Sequence, residues 1–205
     1  MRNGLLTLAV GTIAAAGPIS AQAGIGIVGG YVSSNVSVDP ATAGTTWSAR
    51  PGFAGGLSLG VHVAQGVSLA VEGLYVQKGA DAQIGIVSGS EKLTYVEVPL
   101  LLRIAIGDPR KPHLFLTAGG QYSSLLTCTT VSAGFADVDC KASATATSGI
   151  KSSDYGVIFG GGVASRRISL SVRYDLGLDN LNRDTSVGQA TAKNKAFMVL
   201  VGIGL

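Results

Sequence analysis

The chain lacks most of what marks a soluble enzyme or a helical membrane protein. Charge is scarce: 13% of its 205 residues are charged, where soluble domains carry about 25%. Histidine occurs twice, at His62 and His113, and cysteine twice, at Cys128 and Cys140. Beyond residue 24 no apolar run approaches the ~20 residues that a spanning helix needs. The net charge of +3 is scattered, with no basic cluster interleaved with aromatics, so no nucleic-acid stripe is present. Glycine, by contrast, is abundant at 30 residues. A surface this poor in charge must face something other than water over much of its area.

One apolar segment stands at the start of the chain. Arg2, the stretch Leu5 to Ala16, the Gly17-Pro18 break and Ala21-Gln22-Ala23 follow the order of a secretory signal peptide with a small-residue cleavage site. Residues 1–23 are therefore expected to be removed, leaving residues 24–205 as one domain. The alternative, an N-terminal anchor, is disfavoured because the run is shorter than a spanning helix.

The mature chain alternates. In "TYVEVPLLLRIAI", Val96, Val98, Leu100, Leu102, Ile104 and Ile106 occupy the even positions, and Glu97, Pro99 and Arg103 fall on the odd ones. A period of two is that of a strand, with one aliphatic face and one holding all the charge. The stretches 52–63, 67–75 and 167–178 repeat the pattern; 113–126, 154–164, 195–205 and 24–36 follow more loosely. These are eight candidate strands of roughly 9–13 residues, the length a tilted strand needs to cross a bilayer. A soluble sandwich core would also accept one aliphatic face, so parity alone leaves both open.

The connections and the tyrosines separate the two. Short links at 64–66, 107–112 and 165–166 alternate with long polar ones near 38–51, 79–92, 127–152 and 181–194. Short turns at one end and long loops at the other describe an all-β, eight-stranded antiparallel up-and-down transmembrane barrel of the outer membrane of a Gram-negative-type bacterium. Tyr31, Tyr75, Tyr122, Tyr155 and Tyr174 have outward parity near the long-loop end, the level of an interfacial aromatic girdle; Tyr95 shares the level but not the parity. Glu72, Glu97, Arg103, Arg173 and Asp175 then all point inward. The expectation is a lumen ion network in which Arg173 bridges to Glu72, Glu97 or Asp175. Pro99 removes a ladder hydrogen bond, so a bulge or a nearby water is expected there.

"GFAGGLSLGVHVAQGVSLAVEGLYVQKGA" followed by "YVEVPLLLRIAI" resembles the porin-like outer-membrane β-barrel domain family, which includes PorT-like proteins. The likeness rests on a glycine-rich second strand, a third strand ending Tyr-x-Gln-Lys-Gly and an aromatic-x-Glu-x-Pro-Leu strand. It extends over essentially the whole mature chain and implies an eight-stranded outer-membrane barrel whose biochemical role is mostly undefined. Such barrels often end in an aromatic residue, whereas this chain ends at Leu205.

Chemistry-bearing residues are few. Export through an oxidising compartment favours a Cys128–Cys140 disulfide over two free thiols. Asp137 and Asp139 lie nearby, but no histidine joins them and the spacing matches no zinc or EF-hand pattern, so neither metal nor cofactor is expected. Both histidines fall at the short-turn rim, far from the outer leaflet where a lipid-modifying enzyme needs its base, so no catalytic residue is assigned. The expected role is structural or binding, with a filled lumen. The expected partners are outer-membrane lipid, lipopolysaccharide and the assembly machinery; the sequence names no extracellular partner. A small solute porin and, behind it, a lipid-modifying enzyme are the alternatives.

Overall fold

The computed structural model describes residues 23–40, 44–85, 87–132, 134, 136–141, 149–182 and 191–205. The expected signal peptide lies outside the described residues, except for Ala23. The strands are β1 (Ala23–Asp39), β2 (Thr45–Ala64), β3 (Val67–Ile84), β4 (Val87–Ile106), β5 (His113–Ser132), β6 (Val138–Asp139), β7 (Ser153–Ser165), β8 (Ile168–Gly177) and β9 (Thr191–Gly204). Eight of them pair antiparallel in chain order, and β1 pairs with β9 from Gly26↔Gly204 to Asp39↔Thr191, which closes the ring. The two-residue β6 only adds to the upper end of β5. The chain is an eight-stranded up-and-down barrel.

Alternation decides what each face meets. On β4, Val98, Leu100, Leu102, Ile104 and Ile106 are exposed on the outside, while Glu97 and Leu101 are fully buried on the inside. The outer wall repeats this around the ring, with Ile27, Leu57, Val71, Leu116, Leu170 and Val201 all exposed. A surface that apolar is stable only in hydrocarbon. Glycines let the strands approach closely at chosen points. A Cβ at Gly56 would lie 1.9 Å from the Gly73 carbonyl oxygen, and one at Gly119 equally close to that of Leu100.

Two expectations need correction. The connections at 38–51 and 79–92 are mostly strand: β2 begins at Thr45, and β3 and β4 run to Ile84 and from Val87. Strands β2 to β5 have 18–20 residues, well beyond the ~9–11 that cross a bilayer, so they stand proud of the membrane. There the outer face meets water and turns polar, the outward apolar stripe disappears, and the polar sequence hides the strand. Pro99 carries no bulge. It pairs with Gln121 on β5, and the β3–β4 ladder resumes in unchanged register on either side, at Val71↔Leu100 and Leu74↔Glu97. The β4–β5 bulge lies instead at Thr94/Tyr95.

Leu100→Arg places a cation near the middle of the outer wall. It is expected to destabilise the barrel by about 2–4 kcal/mol in lipid, read from the shift in urea unfolding of protein refolded into vesicles.

Candidate functional site

The inward residues of β4 read the lumen from top to bottom: Leu93 and Tyr95, then Glu97, Leu101, Arg103 and Ala105. Each step of two residues descends about 7 Å along the strand.

The upper level is apolar. Val36, Ala80, Leu93, Tyr95, Leu125, Cys128, Ile150, Leu181 and Ala192 form one buried cluster, with Val38, Trp47 and Cys140 packed against it. It draws on β1 to β5, on β9 and on both long loops, so it crosses the mouth. The Cys128–Cys140 disulfide lies within it. Backbone hydrogen bonds carry the wall upward past the ends of β7 and β8: Ile150 N donates to the Cys140 carbonyl at 3.0 Å, Lys151 N to Leu181 at 2.8 Å and Leu181 N to Ala192 at 2.7 Å.

Beneath it lies a layer of charge. Lys78 Nζ is 2.6 Å from Glu97 Oε1 and also pairs with Asp175 Oδ2. Gln121 Nε2 donates to Asp175 Oδ1 at 2.7 Å, and Ser123 Oγ to Glu97 Oε1 at 3.3 Å. Asn194 Nδ2 donates to Asp154 Oδ2 at 3.0 Å and to Tyr95 Oη at 3.3 Å. Lower down, Arg173 grips Glu72 with both ends of its fork, Nη1 to Oε2 at 2.6 Å and Nη2 to Oε1 at 2.9 Å. Arg103 Nη2 reaches the same Oε1 at 3.0 Å, and its guanidinium sits over the Phe115 ring at 5.4 Å.

All five charges expected inside are therefore inside, but they form two groups. Arg173 and Arg103 share Glu72, while Glu97 and Asp175 share Lys78. Sequence reasoning missed that lysine because it read the alternation of the third strand only as far as Tyr75, although the resemblance carried that strand on to Gly79. Carried three residues further, the same parity puts Lys78 on the inner face. With it, Glu72, Glu97 and Asp175 meet Lys78, Arg103 and Arg173, three charges of each sign. Pairing of this kind is what makes burial of charge tolerable.

On the outside, Tyr31, Tyr75, Tyr122 and Tyr155 are exposed, Tyr174 is half-buried, and Tyr95 is buried in the lumen. Phenylalanines join the tyrosines: the Phe53 ring packs tilted against Tyr75 at 5.7 Å, and Phe159 against Tyr174 at 5.5 Å. Tyr122 and Tyr155 face each other at 5.2 Å. The ring is aliphatic only at β4, where Val96 lies opposite Tyr75 and Val98 opposite Tyr122.

Residues 18–183 match the model of the outer membrane protein β-barrel domain family. The chain belongs to that family. Its location is accordingly the outer membrane. No curated protein sequence matches the chain. Among solved structures, the barrel is similar to outer membrane protein OprG of Pseudomonas aeruginosa, at 13% identity and TM-score 0.48 over 89% of this chain and 96% of that one. It is also similar to Ail, the attachment invasion locus protein of Yersinia pestis, in complex with the heparin analogue sucrose octasulfate, at 13% identity and TM-score 0.44 over 89% and 99%. Neisserial surface protein A is similar at 12% identity and TM-score 0.46 over 87% and 96%.

Above the membrane, the barrel brings Glu91 against Cys128 and Cys140, with carboxylate oxygen and sulfurs within 4.8 Å. The sulfurs are bonded to each other, so they do not offer the thiolates that a metal would need. Asp81, which accepts from Arg50 Nη1 at 3.3 Å and Ser90 Oγ at 2.6 Å, ties β2, β3 and β4 together at the same level.

Arg173→Met removes the fork and leaves Glu72 buried with Arg103 alone. Such a loss typically costs about 3–5 kcal/mol for a buried pair, and Glu72→Leu combined with Arg173→Met is expected to recover part of it. A double-mutant cycle on urea unfolding in lipid checks both. Burial raises the Glu91 carboxyl above its ordinary value. The folded barrel therefore holds that proton more tightly than the unfolded chain does, and stability falls as pH rises from the unfolded value through the raised one. Glu91→Gln is expected to match the wild type below both values and to exceed it at neutral pH, read from urea midpoints across that range.

Proposed function

We propose that this barrel serves the outer membrane as a closed structural or binding element and not as a diffusion pore. One observation supports the reading above others: an apolar layer and a layer of paired charges lie one above the other across an interior that eight strands leave only just wide enough for side chains. An ion crossing it would have to displace paired charges and then enter an apolar plug. The strands that rise above the membrane, with the disulfide-bonded loop, offer the surface for an extracellular partner.

The same reading includes cleavage of the leader before Gly24, delivery by the outer-membrane assembly machinery, and lipid and lipopolysaccharide around the aromatic ring. Within the family, the Tyr-x-Gln-Lys-Gly and Glu-x-Pro-Leu strands favour the PorT-like members. Catalysis has less support. Among the described residues neither histidine bonds to a hydroxyl or a carboxylate, and His113 Nδ1 lies 2.8 Å from the Lys111 carbonyl oxygen.

Purified barrel in planar bilayers is expected to give no steady conductance. Sustained ion flux from the wild type would overturn the closed-lumen reading and favour a small pore. Tags in 127–152 should be reachable on intact cells and tags at Arg110-Lys111 should not; the reverse would invert the topology.

A further inference from the structure

Below the ion layer the lumen opens at the short-turn end, the periplasmic end of outer-membrane barrels. The opening is a cavity of about 690 Å³, within the range of small-molecule sites. Its inner end is the Arg173–Glu72–Arg103 group, and its rim carries His62, Pro109, His113, Arg166 and Arg167. Four arginines thus line it against one side-chain carboxylate, Glu72.

Arg103 is the residue placed to receive a ligand. Its side chain is 25% exposed, whereas Arg173 is spent on Glu72 and almost wholly buried. One end of the Arg103 fork is fixed by Glu72 and its plane by Phe115, so the guanidinium is held in place before anything binds. The Nε of Arg103 and that of Arg173 are buried without a hydrogen-bond partner among the described residues, so the exposed part of Arg103 is the end of its fork. An oriented guanidinium favours planar or tetrahedral oxyanions, which it can meet with two parallel hydrogen bonds. The rim arginines add a second feature. Arg166 and Arg167 form the two-residue turn between Ser165 and Ile168, both exposed at the entrance. A narrow cavity with low-dielectric walls and charge of one sign at its mouth concentrates small ions of the other sign.

We propose that this vestibule binds a small solute bearing two or more oxyanion groups, phosphate or carboxylate, which enters from the periplasm and stops at Arg103. The proposal rests on the closed lumen only in making the site a dead end; binding itself does not require it.

Calorimetric titration of the refolded full chain in a neutral detergent at low salt tests it, with pyrophosphate and citrate as probes. The expected result is saturable, single-site binding of at least one probe, and the preferred probe separates a phosphorylated from a carboxylated ligand. Arg103→Gln is expected to weaken binding about tenfold or more, as loss of a charge-assisted pair does. Arg166→Ser with Arg167→Ser, which removes two exposed side chains and keeps the backbone bond from Gly204 N to the residue 167 carbonyl, should weaken it less and flatten its dependence on salt. Lys193→Ser with Lys195→Ser, at the far end of β9, should leave it unchanged. Absence of saturation in the wild type, or equal affinity in the wild type and both arginine variants, would overturn the site. Ion conduction in planar bilayers with binding intact would instead count against the closed lumen alone.

Discussion

A backbone N–H or C=O left unpaired in hydrocarbon costs several kcal/mol, and a sheet edge exposes a whole row of them. That constraint shapes the rest of this molecule. The β1–β9 ladder runs over fourteen register pairs, from Gly26↔Gly204 to Asp39↔Thr191, and leaves no edge in the ring. Once the sheet is closed, inside and outside are set by parity alone: Leu100 must meet lipid because Leu101 meets the lumen. Even Pro99, which cannot donate to the ladder, is accommodated by losing local pairing without shifting register.

Closure also produces the charged interior. Eight strands enclose too little space for free solvation of the charged side chains inside, so six of them pair at short range and Asp154 accepts from Asn194 instead. Glu72 accepts from two arginines, and Lys78 bridges two carboxylates from β4 and β8. The matching links strands that never pair. Lys78 on β3 reaches Asp175 on β8, and Arg173 on β8 reaches back to Glu72 on β3. These contacts brace the barrel across its axis, where backbone ladders act only around its circumference.

The two ends of the lumen differ because the sequence differs above and below that brace. Above it, Leu93, Leu125, Ile150 and Leu181 bring apolar side chains inward, and the Cys128–Cys140 bond holds the longest loop against them. Below it many inward residues are small or basic, from Ser68 and Ala105 to Arg103 and the Arg166-Arg167 turn, and the space stays open beside Phe115. An apolar cluster occupies the long-loop end, and a cavity opens at the short-turn end.

The barrel, its strand count, the inward set Glu72, Glu97, Arg103, Arg173 and Asp175, and the outward tyrosines were all legible in the chain, because a two-residue period reports sidedness directly. The strand extensions were not, since above the bilayer the outer face turns polar and the contrast between faces vanishes from 79–92. Phe53, Phe159 and Phe197 had the outward parity of the girdle and went unread with the tyrosines. Lys78 was within reach of the same rule, had the third strand been carried past Tyr75. Which charge pairs with which lay beyond any such rule. Parity states that a side chain points inward, but partners depend on strand stagger, side-chain length and the height at which each crosses the axis. By itself, then, the sequence determined the alternation, and with it the closed wall and the charged interior. Only the tertiary structure decided that Arg173 holds Glu72, that Lys78 holds Glu97 and Asp175, and that an apolar cluster gathers at one end of the barrel, because those outcomes rest on distances between strands far apart in the chain.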